Sequence, residues 1–334
     1  MAVILFKPLG RIIALLVVLV LVAGVWFALE AHPLGGSGRE EFVTVEPGDS
    51  LATIANEMHD KGVISSTFAF RLDLTIFGSP TVIPGTYGMA QGASFSSLRS
   101  ILSHEPNVVS VYSGYTLHEI AQEVAQHTSN SFGDQFVADE TTLAKESGFG
   151  SAGSLEGLVG PGNYVLSVGE LPVELLDQMT ANFSKLAKSV GLTPSTHVNG
   201  LDAYQLIVGA SIDEKEGYYP ANMPRVARVI YNRLARGGPL QMDATVEYYF
   251  HQDGGTVTPA MLQTPTPYNT YLNAGLTPTP ICTVSKYSLK AMLHAPAGSW
   301  LYFELVNKNG TMQFSTTFAQ QLAAEAKAAK NGIS

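Results

Sequence analysis

Ile12 to Leu29 is an uninterrupted, uncharged run, IIALLVVLVLVAGVWFAL, and no other feature of the 334 residues constrains the fold as strongly. As a helix, eighteen residues cover ~27 Å, just sufficient for the hydrocarbon core of a bilayer. Lys7 and Arg11 precede the run; Glu30 and the Gly-rich HPLGGSGREE follow it. The positive-inside rule then leaves residues 1–11 in the cytoplasm and exports everything beyond about residue 30. Trp26 and Phe27 suit the outer interface. The alternative is a cleaved signal peptide. The run is longer than an ordinary signal core, however, and Leu29-Glu30-Ala31 is a poor cleavage site. Either way the folded part lies outside; the expectation is a single-pass protein of the cytoplasmic (inner) membrane with its N-terminus inside.

Several classes can be set aside. A net charge of −9, with no Lys/Arg cluster on any predicted helix, argues against a nucleic-acid partner, because phosphate binding needs a basic face. Cys282 is the only cysteine, so there is no intrachain disulfide and no Cys-based zinc site. The eight histidines show no HExxH spacing, and there is no GxSxG elbow, Walker loop or strand-borne GxGxxG. Hydrophobic residues at 46% against 14% charged residues imply that the exported part buries a core rather than staying disordered.

Beyond a flexible linker, with residues 30–41 joining the apolar run to the rest, FVTVEPGDSLATIANEMHDKGVI reads as strand, turn and helix. Val43 and Val45 alternate, Pro47-Gly48 turns the chain, and Ser50 caps a helix bearing Leu51, Ile54, Ala55 and Met58. An echo follows in VVSVYSGYTLHEIAQEVA, where Gly114 lies 66 positions after Gly48 and Thr116 with Glu119 forms a capping box. Two similar strand–turn–helix units are expected, one closing a small module at 42–106 and one opening a larger domain at 107–325. Within the latter, SLEGLVGPGNYVL reads as a loop entering a strand at Tyr164, and Leu171 to Val190 as a helix. The Ala-rich tail from Phe318 reads as a helix fraying near Gly332, with 326–334 as a C-terminal tail.

The segment richest in chemistry is DAYQLIVGASIDEKE, Asp202 to Glu216. Its apolar residues Leu206, Ile207, Val208, Ala210 and Ile212 are distributed all round a 3.6-residue helix, which describes a buried helix that Gly217 can stop. Carboxylates at the end of such a helix meet the edge of a core, where desolvation raises a carboxyl pKa. Glu214 and Glu216 are about 200° apart, so only one can enter a given cleft. Asp213, three residues before Glu216, can neighbour it. Spacing alone leaves the choice of acid open, and solvated caps are the common reading of charges at a helix end.

NMPRVARVIYNRLARGG then reads as a helix with Pro224 in its first turn and Gly237-Gly238 at its end. LQMDATVEYYF and TPTPYNTYLNAGLTPTPI read as polar loops rich in Asn, Gln, Thr and Tyr. Such side chains combine hydrogen-bonding groups with flat apolar faces, as a polyhydroxylated sugar requires.

In order, ASIDEKE, NRL, LQMDATVEYY, TPYNTY…GLTPTPI, SLKAMLHA and LYFELVNKNGTMQFSTT resemble the MltG (YceG-like) endolytic murein transglycosylase family, over nearly the whole chain including the N-terminal helix and SLEGLVGPGNY. The 42–106 unit resembles a LysM module, which implies either contact with N-acetylglucosamine polymers or a purely structural role. The fold implied is α+β: a transmembrane helix at 12–29, a small LysM-like module, and a larger α+β catalytic domain with its core at 200–325.

The resemblance assigns the catalytic acid to the last glutamate of the ASIxEKE-type motif, Glu216, and cleft contacts to Asn232, Gln241, Asp243, Tyr268, Asn269 and Thr270. It implies cleavage of the MurNAc–GlcNAc bond within nascent strands to leave 1,6-anhydro ends, terminating glycan elongation. No metal or organic cofactor is implied. Expected partners are peptidoglycan strands, the membrane and cell-wall synthases. The rivals are a hydrolase pairing Glu216 with Asp213 or Asp243, and a non-catalytic wall-binding scaffold. The chain departs from the family pattern in four places: Asp213 stands where an apolar residue is usual, Ala244 where a DPT-type motif has proline, Thr283-Val284-Ser285 where Asn-Pro-Gly is usual, and Gln313 where a histidine is expected.

Overall fold

A computed structural model describes residues 6–333 except 36, 37, 107, 128–143, 145, 146, 150–152, 167–171 and 253. Part of the linker, the stretch 128–143 and Leu171 therefore lie outside the described residues. The chain forms two compact units, Met1–Val108 with Val165–Ser167, and Val109–Tyr164 with Val168–Ser334.

In the first unit, helix α1 (Phe6–Ala31) contains the apolar run, and its stretch Ile12–Ala31 is long and apolar enough to cross a membrane. Strand β1 (Glu40–Val45) pairs antiparallel with β2 (Gly85–Ala90), Val43 lying opposite Tyr87. Between them run α2 (Leu51–Asp60) and α3 (Thr67–Phe77), and α4 (Phe95–Leu102) follows β2. Each of these helices starts where a serine side chain accepts a backbone N–H: Ser50 from Thr53, Ser66 from Ala69, Ser94 from Ser97. Their apolar faces close over Val43, Val45, Phe70, Tyr87 and Phe95.

The second unit contains β3 (Val108–Val111) but for Val108, paired with β4 (Gly162–Val165) but for Val165, and the latter strand starts two residues before Tyr164. Helix α5 (Leu117–His127) has the expected capping box, with Thr116 N–H donating to Glu119 Oε2 at 2.7 Å and Glu119 N–H to Thr116 Oγ1 at 3.1 Å. Helix α6 (Pro172–Ser189) leads to a two-residue hairpin ladder, β5 (His197–Val198) with β6 (Leu201–Asp202). Then come α7 (Ala203–Gly217) and α8 (Met223–Ala235), followed by α9 (Asp243–Tyr249) and α10 (Pro259–Leu262). Helix α11 (Lys286–Leu293), the antiparallel pair β7 (Tyr302–Leu305) and β8 (Met312–Ser315), and α12 (Phe318–Lys330) complete the unit. α7, α8 and α11 pack on one another, which is why α7 is apolar on every side. Thr283, one of the departing positions, exchanges backbone hydrogen bonds with the 112–115 turn, its N–H donating to Tyr115 O at 2.7 Å and its carbonyl accepting from Gly114 at 2.9 Å.

Candidate active site

α7 is the rigid element from which the site is built. Asp202 and Gln205 cap it reciprocally, Gln205 N–H donating to Asp202 Oδ1 at 2.9 Å and Asp202 N–H to Gln205 Oε1 at 3.0 Å. At the other end the helix runs through Gly217 rather than stopping before it. Gly217 answers a need for space: a Cβ there would meet Met223 Cγ at 2.7 Å. The stop falls on Tyr218, at φ 54 and ψ −47, with Tyr219 N–H donating to Gly217 O at 2.5 Å. That is a γ-turn of the rare, strained hand, and it directly follows Glu216.

Glu216 is half-buried in a cleft of ≈ 450 Å³ whose walls include Tyr218, Arg233, Gln241, Asp243, Glu247 and Tyr271. Burial pushes its carboxyl up to about 7. The Ala244 N–H opposes this by donating to Glu216 Oε1 at 3.3 Å; Asp243 and Glu247 push the pKa up further, and Arg233 pulls it down. The acid therefore rests between its two protonation states near neutrality. Arg233 is held in place through its own backbone contacts, Nε donating to Leu301 O at 2.7 Å and the guanidinium also reaching Leu240 O.

Asp213 feels the Glu216 charge, as its i, i+3 spacing allowed. The charges that act on Glu216 are Asp243, Glu247 and Arg233, and Asp213 is not among them. Asp213 is fully buried, and its own carboxyl is raised well above the usual range, first by burial and then by Glu214 and Glu216. Neither of its oxygens makes a well-formed hydrogen bond, and the Ala227 backbone offsets its burial only in part. Glu214 points elsewhere, its Oε2 accepting from Ser285 N–H at 2.9 Å at the start of α11.

Of the other residues singled out from sequence, Gln241 and Asp243 stand in the cleft wall, where Tyr271 OH donates to Asp243 Oδ1 at 2.5 Å. The remaining four bond to the framework instead. Asn232 Nδ2 donates to Gly298 O at 3.0 Å and Trp300 O at 2.8 Å. Tyr268 packs against Tyr248, the rings tilted by 51° with centres 4.9 Å apart, and its hydroxyl meets Thr279 Oγ1 at 2.8 Å. Asn269 Nδ2 ties together the carbonyls of Leu262 and Thr264, both at 2.9 Å. Buried Thr270 holds the start of α9: its carbonyl accepts from Gln241 N–H at 2.9 Å, and its hydroxyl accepts from Met242 N–H at 3.1 Å and meets Thr245 Oγ1 at 2.9 Å. Through α9, Thr270 sets where the Ala244 N–H lies.

Sequence reasoning missed Arg233, Tyr218, Glu247 and Tyr271 as cleft residues. It also missed a third wall from β7 and α12, where Gln321 Nε2 bridges Glu304 Oε2 at 3.0 Å and Glu325 Oε1 at 3.2 Å. Glu156, the one acid within SLEGLVGPGNY, is a further omission. It is buried, accepts from Leu117 N–H at 3.2 Å and from Tyr248 OH at 3.0 Å, and so fixes the far end of α9 to the start of α5. Its only sequence signal was an acid alone in an apolar, Gly-rich stretch.

Residues 43–327 match the model of the YceG-like family. An endolytic murein transglycosylase of Bacillus subtilis (strain 168) is 30% identical over 306 residues, covering 85% of this chain and 84% of that protein. One from Streptococcus pneumoniae (strain ATCC BAA-255 / R6) is 25% identical over 304 residues, covering 80% of this chain but only 55% of its own length. The crystal structure of a YceG-like protein from Listeria monocytogenes superposes with a TM-score of 0.58 at 24% identity, covering 86% of this chain and 99% of that one, which speaks for the fold.

Proposed function

This chain belongs to the YceG-like family, and from that premise we propose that it is a membrane-anchored lytic transglycosylase that cuts murein glycan strands internally with Glu216 as its acid and base. The observation that carries the reading is the half-buried Glu216 carboxyl, pushed up to about 7 in an open polar cleft. A single group that must first give and then take a proton works best with a pKa near the working pH.

With Glu216 Oε1 engaged by Ala244, Oε2 carries the proton to the leaving O4 of N-acetylglucosamine. Arg233 then favours the carboxylate left behind. The C6 hydroxyl of N-acetylmuramic acid attacks its own C1, closing the 1,6-anhydro ring and returning a proton to Glu216. Because the nucleophile belongs to the same sugar, proximity is supplied by the substrate. Gln241, Asp243 and Tyr271 offer hydrogen-bonding groups to sugar hydroxyls. The cut made during synthesis would end glycan elongation, and cell-wall synthases are the partners this implies.

Mass spectrometry of products from purified sacculi or nascent glycan tests the reaction. Anhydro-muramyl ends are expected; reducing ends would favour a hydrolase, for which Asp243 and Glu247 supply a second carboxylate in the same cleft. The anchor reading is supported by the packing of Phe27 and Ala31 into the core of the first unit, which binds the end of α1 to the folded part. A reporter that works only outside the membrane should be active when fused at Ser334. The LysM-like module is proposed to hold glycan, and a variant lacking residues 42–106 should then lose affinity for insoluble wall while keeping turnover of soluble strands.

A further inference from the structure

We propose that α3 lies in the outer-leaflet interface of the phospholipid bilayer, so that the first unit is seated in the membrane surface rather than hanging from a tether. The proposal rests on the reading of α1 as a membrane span. It starts from length. The apolar run Ile12–Leu29 would cover ~27 Å as a free helix, already slightly short of the ~30 Å hydrocarbon core. Its outer end is not free. Trp26 stacks on Phe68 at 6.3 Å, Phe27 meets Phe95 edge-on at 6.4 Å, and Ala31 is buried in the core of the unit. Ile12–Val25, the part free of the unit, covers only ~21 Å. The remaining apolar residues enter the membrane only if the edge of the unit that grips them enters too.

That edge has the surface such a position requires. Phe68, Leu72 and Ile76 recur at four-residue spacing along one face of α3; Phe77 lies off that face, with the Arg99 guanidinium 5.0 Å from its ring centre. Phe68 and Ile76 are 67% and 57% exposed, and Leu72 is half-buried. The stripe begins at Phe68, beside Trp26, so it is continuous with the membrane helix. α3 carries two charged residues. Asp73 is buried in an ion pair with Arg99, which leaves Arg71, exposed on the stripe side, to meet lipid phosphates. A hydrogen bond from Ser65 to Glu30 lies at the start of α3, where the polar surface begins. An aromatic pair at the end of a span, an apolar stripe and a flanking cation together describe an interfacial helix.

The full chain in phosphatidylglycerol-containing vesicles tests this with single labels, since Cys282 is buried. Leu72→Cys, Ile76→Cys, Val18→Cys and Asn56→Cys would each carry an environment-sensitive fluorophore, read with and without nitroxide-bearing lipids. The expected result is at least about twofold stronger lipid quenching at 72 and 76 than at exposed Asn56 on α2. Quenching at 18 with none at 72 and 76 would overturn the seated geometry and leave the anchor standing. No quenching at 18 would remove the anchor reading and this proposal with it. A blue-shifted signal at 76 without lipid quenching would overturn it in favour of a protein surface, such as a second copy.

Discussion

The backbone nitrogen of Ala244 donates to Glu216 Oε1 at 3.3 Å, across 28 residues of sequence. Proline, which the family resemblance expects at this position, has no N–H to give. The alanine therefore adds a donor that favours the charged form of the acid and holds its pKa lower than burial alone would. Ala244→Pro should move the alkaline limb of the pH–rate profile upward by about one unit, given the worth of a hydrogen bond to a charged group. Position 244 lies in the first turn of α9, where proline is tolerated. A profile that stays still, or moves down, would contradict the assignment of Glu216 as the titrating group.

Glu216→Gln should abolish release of anhydro-ended glycan, a loss of at least about 10²-fold, while the protein stays folded and wall-bound. The same change should stabilise the protein at high pH. A carboxyl raised from 4.5 to about 7 contributes stability that is complete below pH 4.5 and is lost as pH rises through 7. Glutamine never ionises. Partial exposure of the side chain reduces the full linkage value, leaving a gain of about 1–3 kcal/mol at pH 8.5 and none at pH 4. Thermal melts of the two proteins across that range read the difference.

Asp213 is an acid in an apolar position. Asp213→Leu should raise stability by about 1–3 kcal/mol, because it removes two buried oxygens without well-formed partners and keeps the branched four-atom shape of the side chain. The pH–rate profile should not move, since the charges that shift Glu216 are Asp243, Glu247 and Arg233. Denaturant melts and kinetics on one preparation check both halves; a shifted profile would mean that Asp213 carries charge that acts on Glu216.

Glu214 serves α11. Glu214→Gln keeps an acceptor for the Ser285 N–H and should retain most activity and stability. Glu214→Ala leaves that N–H unpaired and should cost about 1–2 kcal/mol, with turnover per folded molecule unchanged. Loss of turnover in the glutamine variant would mean that the two glutamates have been assigned the wrong way round.

The legible parts of this protein were those decided within a few residues. α1 follows from an unbroken apolar run, α7 from apolar residues on every side, and the starts of α2 and α5 from Ser50, Thr116 and Glu119. α9 was not legible. Its seven residues, DATVEYY, follow Met242, which offers no side-chain cap, and its position is decided by Thr270 far along the chain. The same distance explains the cleft. Glu304, Gln321 and Glu325 reach it only because β7 packs on α8 and α12 on β7 and β8, and no local pattern announces that. The polar motif TPYNTY was readable as important, but its Tyr268, Asn269 and Thr270 hold the loop and α9 in shape, while Tyr271 beside them faces the cleft.

Tyr218 has a cost that glycine would avoid. A non-glycine residue at φ 54 in a tight γ-turn stores on the order of 1–3 kcal/mol, maintained here because Asn222 Nδ2 clamps the turn, donating to Gly217 O at 3.2 Å and Gly310 O at 2.9 Å. Selection for heat tolerance alone would therefore drift toward glycine at 218 and strip an aromatic ring from beside the acid. Selection for a productive cleft would hold the tyrosine in place. In a laboratory population evolved at rising temperature, position 218 would show which of the two pressures is the stronger.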